Sequence, residues 1–234
     1  MKPSISAALV VAGLSVSTAG LARDVGVELT NLTNGVYFTP LLVATHSSDH
    51  HLFQAGSPAT PSLQAMAEGG DISGLILELE AGGFEYVANP AQGLLAPGAT
   101  ASTELVLDDL PQIQLSIVGM LLPTNDGFVG LDALPLPTKA GSYTYYLNGY
   151  DAGTEANDEI INGGGTPGVA GVPADPGGNG GTGATGAAGP DHNATVHIHR
   201  GTLGDSDPIG GFSDLDSRVH HWINPVAKLV VTIN

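Results

Sequence analysis

The chain has 234 residues, of which 12% are charged and 5% aromatic, with 23 Asp and Glu against 6 Lys and Arg. Such an acidic balance repels nucleic acid and anionic lipid and favours cations, metal ions included. The absence of cysteine excludes disulfides, thiolate metal sites, thiol catalysis and covalent haem attachment.

Residues 1–22 carry the pattern of a secretory signal peptide: Lys2 at a short positive end, a mostly apolar stretch from Ile5 to Val16, and a small-residue exit at Gly20-Leu21-Ala22. The apolar stretch is too short, and too interrupted by Ser and Gly, to span a bilayer. The mature protein is expected to be secreted or periplasmic, with residues 23–234 forming one domain of the size usual for a large β fold. Without disulfides its stability must come from core burial and from any bound metal.

Strand signals dominate the mature chain. Val25, Val27 and Leu29 alternate with smaller or polar residues before Asn31 to Gly35 punctuate the run. One helix is predicted: Thr60 as its N-cap, Pro61 at the first helical position, Leu63, Met66 and Ala67 on one face, and Gly69-Gly70 at its end. It is expected to cover one end of the fold. Residues 72–79 (ISGLILEL), 100–107 (TASTELVL), 112–121 (QIQLSIVGML) and 142–150 (SYTYYLNGY) are further strand candidates. From Gly165 to Gly189, glycine recurs at every third position except Ala174. This is the collagen period, but the tract is short, poor in proline and internal, so 163–189 is expected to be a flexible Gly-rich insertion. Thr195 to His199 alternates again, and Ala227 to Ile233 is a last β-branched run. Runs of this kind separated by Gly and Pro predict an all-β antiparallel sandwich of about eight strands.

Two acidic segments in glycine-rich surroundings carry the sharpest chemical signal: Pro123-Thr124-Asn125-Asp126-Gly127-Phe128-Val129-Gly130-Leu131-Asp132 and Tyr150-Asp151-Ala152-Gly153-Thr154-Glu155-Ala156-Asn157-Asp158-Glu159. Ca²⁺ takes hard oxygen ligands from carboxylates, carbonyls and water. Asp151 and Glu155 stand four apart in a turn-like segment where Gly153 permits a tight backbone, and Asp126 is placed to reach the same ion from a neighbouring loop. The segment is no EF-hand, because it lacks the D-x-D-x-D-G run. Acidic loops are more often simply solvated, and spacing alone leaves that reading open. Asp132, Asn157, Asp158 and Glu159 are secondary candidates, with Asp132 also suited to fixing the Gly130 turn through its own backbone.

These two segments, PTNDGFVGLD and DAGTE, resemble the spondin N-terminal domain family, whose pattern is roughly P-S-P-D-W-F-V-G followed by a strand and D-A-G-T-D. The Phe38-Thr39-Pro40-Leu41-Leu42, His199-Arg200-Gly201 and Trp222-Ile223-Asn224-Pro225-Val226-Ala227 segments are similar to bacterial members as well. The resemblance implies a β-sandwich like that of C2 domains, with Ca²⁺ held by loops at one end through Asp126, Asp151 and Glu155. Two departures matter: the family's tryptophan is Gly127 here, and its last aspartate is Glu155, one methylene longer. The implied role is adhesion, matrix or surface assembly with an extracellular protein or glycan partner, and not catalysis.

Histidine offers a competing metal chemistry. His46, His50 and His51 cluster in one loop, His197 and His199 share a strand face, and His220 and His221 lie near the end. A Cu²⁺ or Zn²⁺ site would need His46 or His220 to approach His197 and His199. Catalytic signals are poor. Ser116 and Ser142 lack a nucleophile elbow, and Glu78, Glu80 and Glu85, the carboxylates available for glycoside hydrolysis, read as outward strand residues. No P-loop or dinucleotide fingerprint is present.

Overall fold

The computed structural model describes residues 23–107, 113–178, 180–188 and 193–234; the expected signal peptide, residues 1–22, lies outside them. The strands are β1 (Arg23–Asn31), β2 (Tyr37–Phe38), β3 (Leu42–His46), β4 (Tyr86–Ala88), β5 (Thr100–Leu107), β6 (Gln114–Leu122), β7 (Gly127–Pro135), β8 (Gly141–Asp151), β9 (His197–Ile198) and β10 (Ala227–Ile233). They form one antiparallel sheet in the order β4-β3-β6-β7-β8-β10-β1-β5, with β2 added to β6 and β9 to β8. The sheet bends until its two edges, β4 and β5, touch. The result is a nearly closed sandwich, and the all-β expectation holds.

The two halves differ in what covers their outer faces. On β10, Ala227, Leu229, Val231 and Ile233 are buried while Lys228, Val230 and Thr232 are half-exposed. This is the period-2 pattern of a strand with one solvated face. Every residue of β3 and of β6 is buried. Leu115, Ile117 and Leu121 of β6 face the central core, whereas Val118, Met120 and Leu122 join a second apolar cluster beneath two helices.

Those helices are α1 (Pro61–Gly69) and α2 (Ser73–Gly82). In α1 the Leu63 amide donates to Thr60 Oγ1 at 3.1 Å, and Gly70, at φ 72°, closes the end in the left-handed conformation that glycine tolerates best. The strand expected at 72–79 is instead α2. Leu75 and Leu79 are fully buried, whereas Leu77, which a strand would place on their face, is 65% exposed. That spacing is helical, and the Leu, Glu and Ala content favours it. The Ser73 amide donates to Asp71 Oδ1 at 2.9 Å at the start, and Gly83, at φ 68°, caps the end. Glu78 and Glu80 therefore lie on a helix, bonded by Ser62 and Tyr86. The helices pack on the outer face of β3-β6-β7 rather than covering one end of the sandwich.

A flexible Gly-rich surface loop is expected at 163–189, and its described residues make several contacts with the body. The Gly168 amide donates to the buried Glu68 carboxylate at 2.6 Å and the Gly171 amide to Glu155 at 3.0 Å, and Val172 is fully buried. The Thr182, Gly183 and Ala184 amides all donate to Asp214 Oδ1.

Candidate metal centre

Strand register brings the two acidic segments together. Gly127 at the start of β7 pairs with Asp151 at the end of β8, and the Ala152 amide donates to the Asp126 carbonyl at 3.2 Å. Asp126 and Asp151 thus stand side by side where the strands end. The 151–155 turn wraps Asp126: the Thr154 amide and hydroxyl and the Glu155 amide all donate to its Oδ2, at 2.8, 3.1 and 3.1 Å. Gly153, at φ 71°, is required for this turn, since a Cβ there would sit 2.7 Å from the Thr195 backbone. Asp151 is fixed by the Gly153 amide on Oδ1 and the Asn157 side-chain amide on Oδ2, both at 2.8 Å.

The electrostatics are unbalanced. Asp126 Oδ1 is buried and has no hydrogen-bond partner among the described residues, and the same holds for Glu155 Oε1. Among the described residues no Lys or Arg forms an ion pair with Asp126, Asp151 or Glu155. Burial first, and the Asp151 carboxylate second, push the Asp126 carboxyl up to about 7. Glu155 is pushed up to about 7 by burial, with the nearby Glu68 carboxylate opposing its ionisation further.

The expected ligands are not equally placed. Asp126 and Asp151 share one pocket of charge. Glu155 contributes its amide to that pocket, while its carboxylate receives Gly171 at 3.0 Å and Asn125 at 3.4 Å and lies nearer in effect to Glu68 than to Asp126. Among the described residues no three His, Asp or Glu side chains gather into a complete ligand cage. Hard-cation sites also draw on carbonyls and water, and a buried, unpartnered carboxylate oxygen beside a second carboxylate fits such an ion. The substitution at Gly127 has a local counterpart: a Cβ there would meet Thr124 Oγ1 at 2.7 Å, and that hydroxyl is held by the Leu121 carbonyl and the Gly127 amide.

The secondary candidates are structural. Asn125 accepts the Glu159 amide and donates to Asp158, binding the two segments to each other. The buried Glu159 holds the Leu203 and Gly204 amides and the Ser213 hydroxyl. Asp132 is engaged by His51 Nδ1 at 3.0 Å. The histidines fall in separate places: His46 bonds Ser116 and packs edge-on against His50 at 5.3 Å, His199 lies tilted against Trp222 at 5.0 Å, and His220 faces Asp175 at 3.5 Å. Neither His46 nor His220 joins His197 and His199 in a common ligand group.

Sequence reasoning missed one pair. Ser116 Oγ lies 2.7 Å from His46 Nε2, and His46 Nδ1 lies 2.8 Å from the Ser47 carbonyl, which resembles a nucleophile–base arrangement. Ser116 is fully buried and also accepts the Ala133 amide at 2.8 Å. The pair therefore ties β3, β6 and β7 together, out of reach of a substrate. Nothing in the local sequence of either residue announces it.

The Spondin_N family model matches residues 30–159, more than half of the chain. Spondin-2 of Rattus norvegicus is 31% identical over 126 residues, and Spondin-2 of Homo sapiens is 30% identical over 125. Each alignment covers 51% of this chain and 38% of the relative, so the chain spans well under half the length of these curated proteins.

Proposed function

The chain belongs to the spondin N-terminal (Spondin_N) family, and from that premise we propose that it is an exported, Ca²⁺-binding β-sandwich module. Its task is binding in an extracellular or surface assembly, with a protein or glycan partner, rather than catalysis. The observation that carries the metal reading is Asp126 Oδ1, a buried carboxylate oxygen with no hydrogen-bond partner among the described residues, set beside Asp151 with no Lys or Arg paired to either carboxylate among them. Leaving such a charge uncompensated costs several kcal/mol, on the order of 3–5.

Asp126 and Asp151 would hold the ion directly. The Thr154 and Glu155 amides and the Asn157 side chain fix the two carboxylates in place, so little ordering remains to be done on binding. Glu155 would join through its Oε1, its extra methylene spanning the greater distance. The bound cation supplies positive charge that lets both aspartates stay ionised together. The residues where β7 begins and β8 ends would carry the charge, while 152–159 is held against them as the binding face.

The test is thermal unfolding of the chelator-stripped protein against Ca²⁺. Binding to the native state alone stabilises by about 2.7 kcal/mol at a hundredfold excess over Kd, so the midpoint should climb with Ca²⁺ concentration. Asp151→Asn should remove that dependence. Identical unfolding curves with and without Ca²⁺, at matched ionic strength, would dismiss the reading.

A further inference from the structure

We propose that Asn193 is an acceptor site for N-linked glycosylation, taking an oligosaccharide from a polyprenyl diphosphate donor. This rests on the reading of the chain as exported, since such donors are used outside the cytosol. The site lies beyond the segment that the family model matches, 30–159.

The sequence holds two Asn-x-Ser/Thr triplets without proline at the middle position, Asn31-Leu32-Thr33 and Asn193-Ala194-Thr195. Such a triplet is the acceptor motif for transfer to asparagine, and it calls for a surface loop in an exported protein. The two triplets share one local geometry. Asn31 Oδ1 accepts the Thr33 amide at 2.9 Å and the Thr33 hydroxyl at 2.8 Å. Asn193 Oδ1 accepts the Thr195 amide at 3.3 Å and the Thr195 hydroxyl at 2.7 Å. A turn of this kind places the side-chain amide and the hydroxyl together, where one enzyme can grip both.

Their surroundings separate them. Asn31 is fully buried, and its Nδ2 donates to the Val36 carbonyl at 2.8 Å and to the Leu95 carbonyl at 3.1 Å. A sugar there would break a buried hydrogen bond and force open a close-packed core. Asn193 and Ala194 are exposed. Beyond Thr195 the chain is anchored: Val196 is buried, its amide donates to the Ser57 carbonyl at 2.8 Å, and its carbonyl accepts the Gly56 amide at 2.7 Å. Asn193 is thus presented at the surface just before β9, where an enzyme can reach it without unfolding the core. A Cβ on Gly153 would sit 2.7 Å from the Thr195 backbone, so the triplet abuts the 151–155 turn. A glycan on Asn193 therefore stands beside the 152–159 face and narrows the approach to it.

In the transfer, Asn193 Nδ2 bonds to the anomeric carbon of the first sugar as the bond from that carbon to the diphosphate oxygen breaks. Polyprenyl diphosphate leaves with the electron pair, and one amide proton passes to a base of the transferase. An amide nitrogen is a poor nucleophile because its lone pair is shared with the carbonyl, so the enzyme drives the step and this chain supplies the acceptor.

The experiment incubates the folded mature chain with a purified oligosaccharyltransferase and a polyprenyl diphosphate oligosaccharide, beside an acceptor peptide that the enzyme modifies. Intact mass should rise by one glycan. Release by peptide-N-glycosidase, which leaves aspartate at the modified position, should map it to Asn193. Asn193→Gln and Thr195→Ala should gain nothing, and Thr195→Ser should keep the modification. An unmodified wild type overturns the proposal, as does a glycan on Asn31 of the folded chain or one retained in Asn193→Gln. In an exporting host with the same pathway, the full precursor should yield a mature chain carrying the glycan, and an exported chain without it also overturns the proposal. A chain that stays in the cytosol defeats the exported reading instead, while the reaction on the purified chain still decides Asn193.

Discussion

Removing the Asp126 charge should stabilise the metal-free protein, against the usual cost of altering a buried polar residue. The Asp126 carboxyl is held at about 7 in the fold against an ordinary value of 3.8, because burial and Asp151 both oppose its ionisation. A carboxyl raised on folding contributes stability that is intact below its unfolded value and is lost as pH rises toward the folded one. In metal-free protein the loss runs from about pH 4 to pH 7. Three units at about 1.4 kcal/mol each set an upper limit on the order of 4 kcal/mol. Asp126→Asn keeps an oxygen for the Thr154 and Glu155 amides and places a neutral NH₂ where Oδ1 has no partner. Urea unfolding in chelator should find Asp126→Asn more stable than wild type at pH 7.5 and no more stable at pH 4. Adding Ca²⁺ at pH 7.5 should reverse the order, because only the wild type gains. A variant that is equally destabilised at both pH values in chelator would refute the electrostatic argument.

Other consequences follow from the same packing. Leu75→Ala should cost about 2–5 kcal/mol in denaturant unfolding and Leu77→Ala about 0.5 or less, a contrast that a strand at 72–79 would not give. Glu68→Ala removes the acceptor for Gly168 and Gln64; limited proteolysis should then cut within 163–178 faster than in wild type, with the loss of one charged hydrogen bond worth about 1.5–3 kcal/mol. Ser116→Ala should destabilise by about 1–3 kcal/mol by stranding the Ala133 amide and His46, and should change no hydrolytic activity, since the pair is enclosed.

The strands with one solvated face were legible in the sequence because alternation reports that environment directly. The runs read at 100–107 and 227–233 have the bounds of β5 and β10. Residues 72–79 misled because a short, continuously apolar run does not distinguish a buried strand from a helix. Only the packing partner decides, and the outer face of β3-β6-β7 offered Leu75 and Leu79 a second core. Glycine periodicity gave composition but not contacts: the anchors of the 163–189 tract, Glu68, Glu155 and Asp214, lie elsewhere in the chain. At the metal centre, the local turn was readable in DAGTE, as Gly153 and the Thr154 amide show. The contact of the Glu155 carboxylate with the Gly171 amide, and the approach of His197 to Asp151, depend on chain packing and strand register. Spacing within a loop does not carry that information.

The central claim is that Asp126 and Asp151 leave a negative charge that a divalent cation offsets. Isothermal titration of Ca²⁺ into the chelator-stripped mature protein near pH 7.5 tests it most directly. A saturable heat with one-to-one stoichiometry, abolished in both Asp126→Asn and Asp151→Asn, is the predicted result. No heat for the wild type, or the same binding in the two variants, would contradict it.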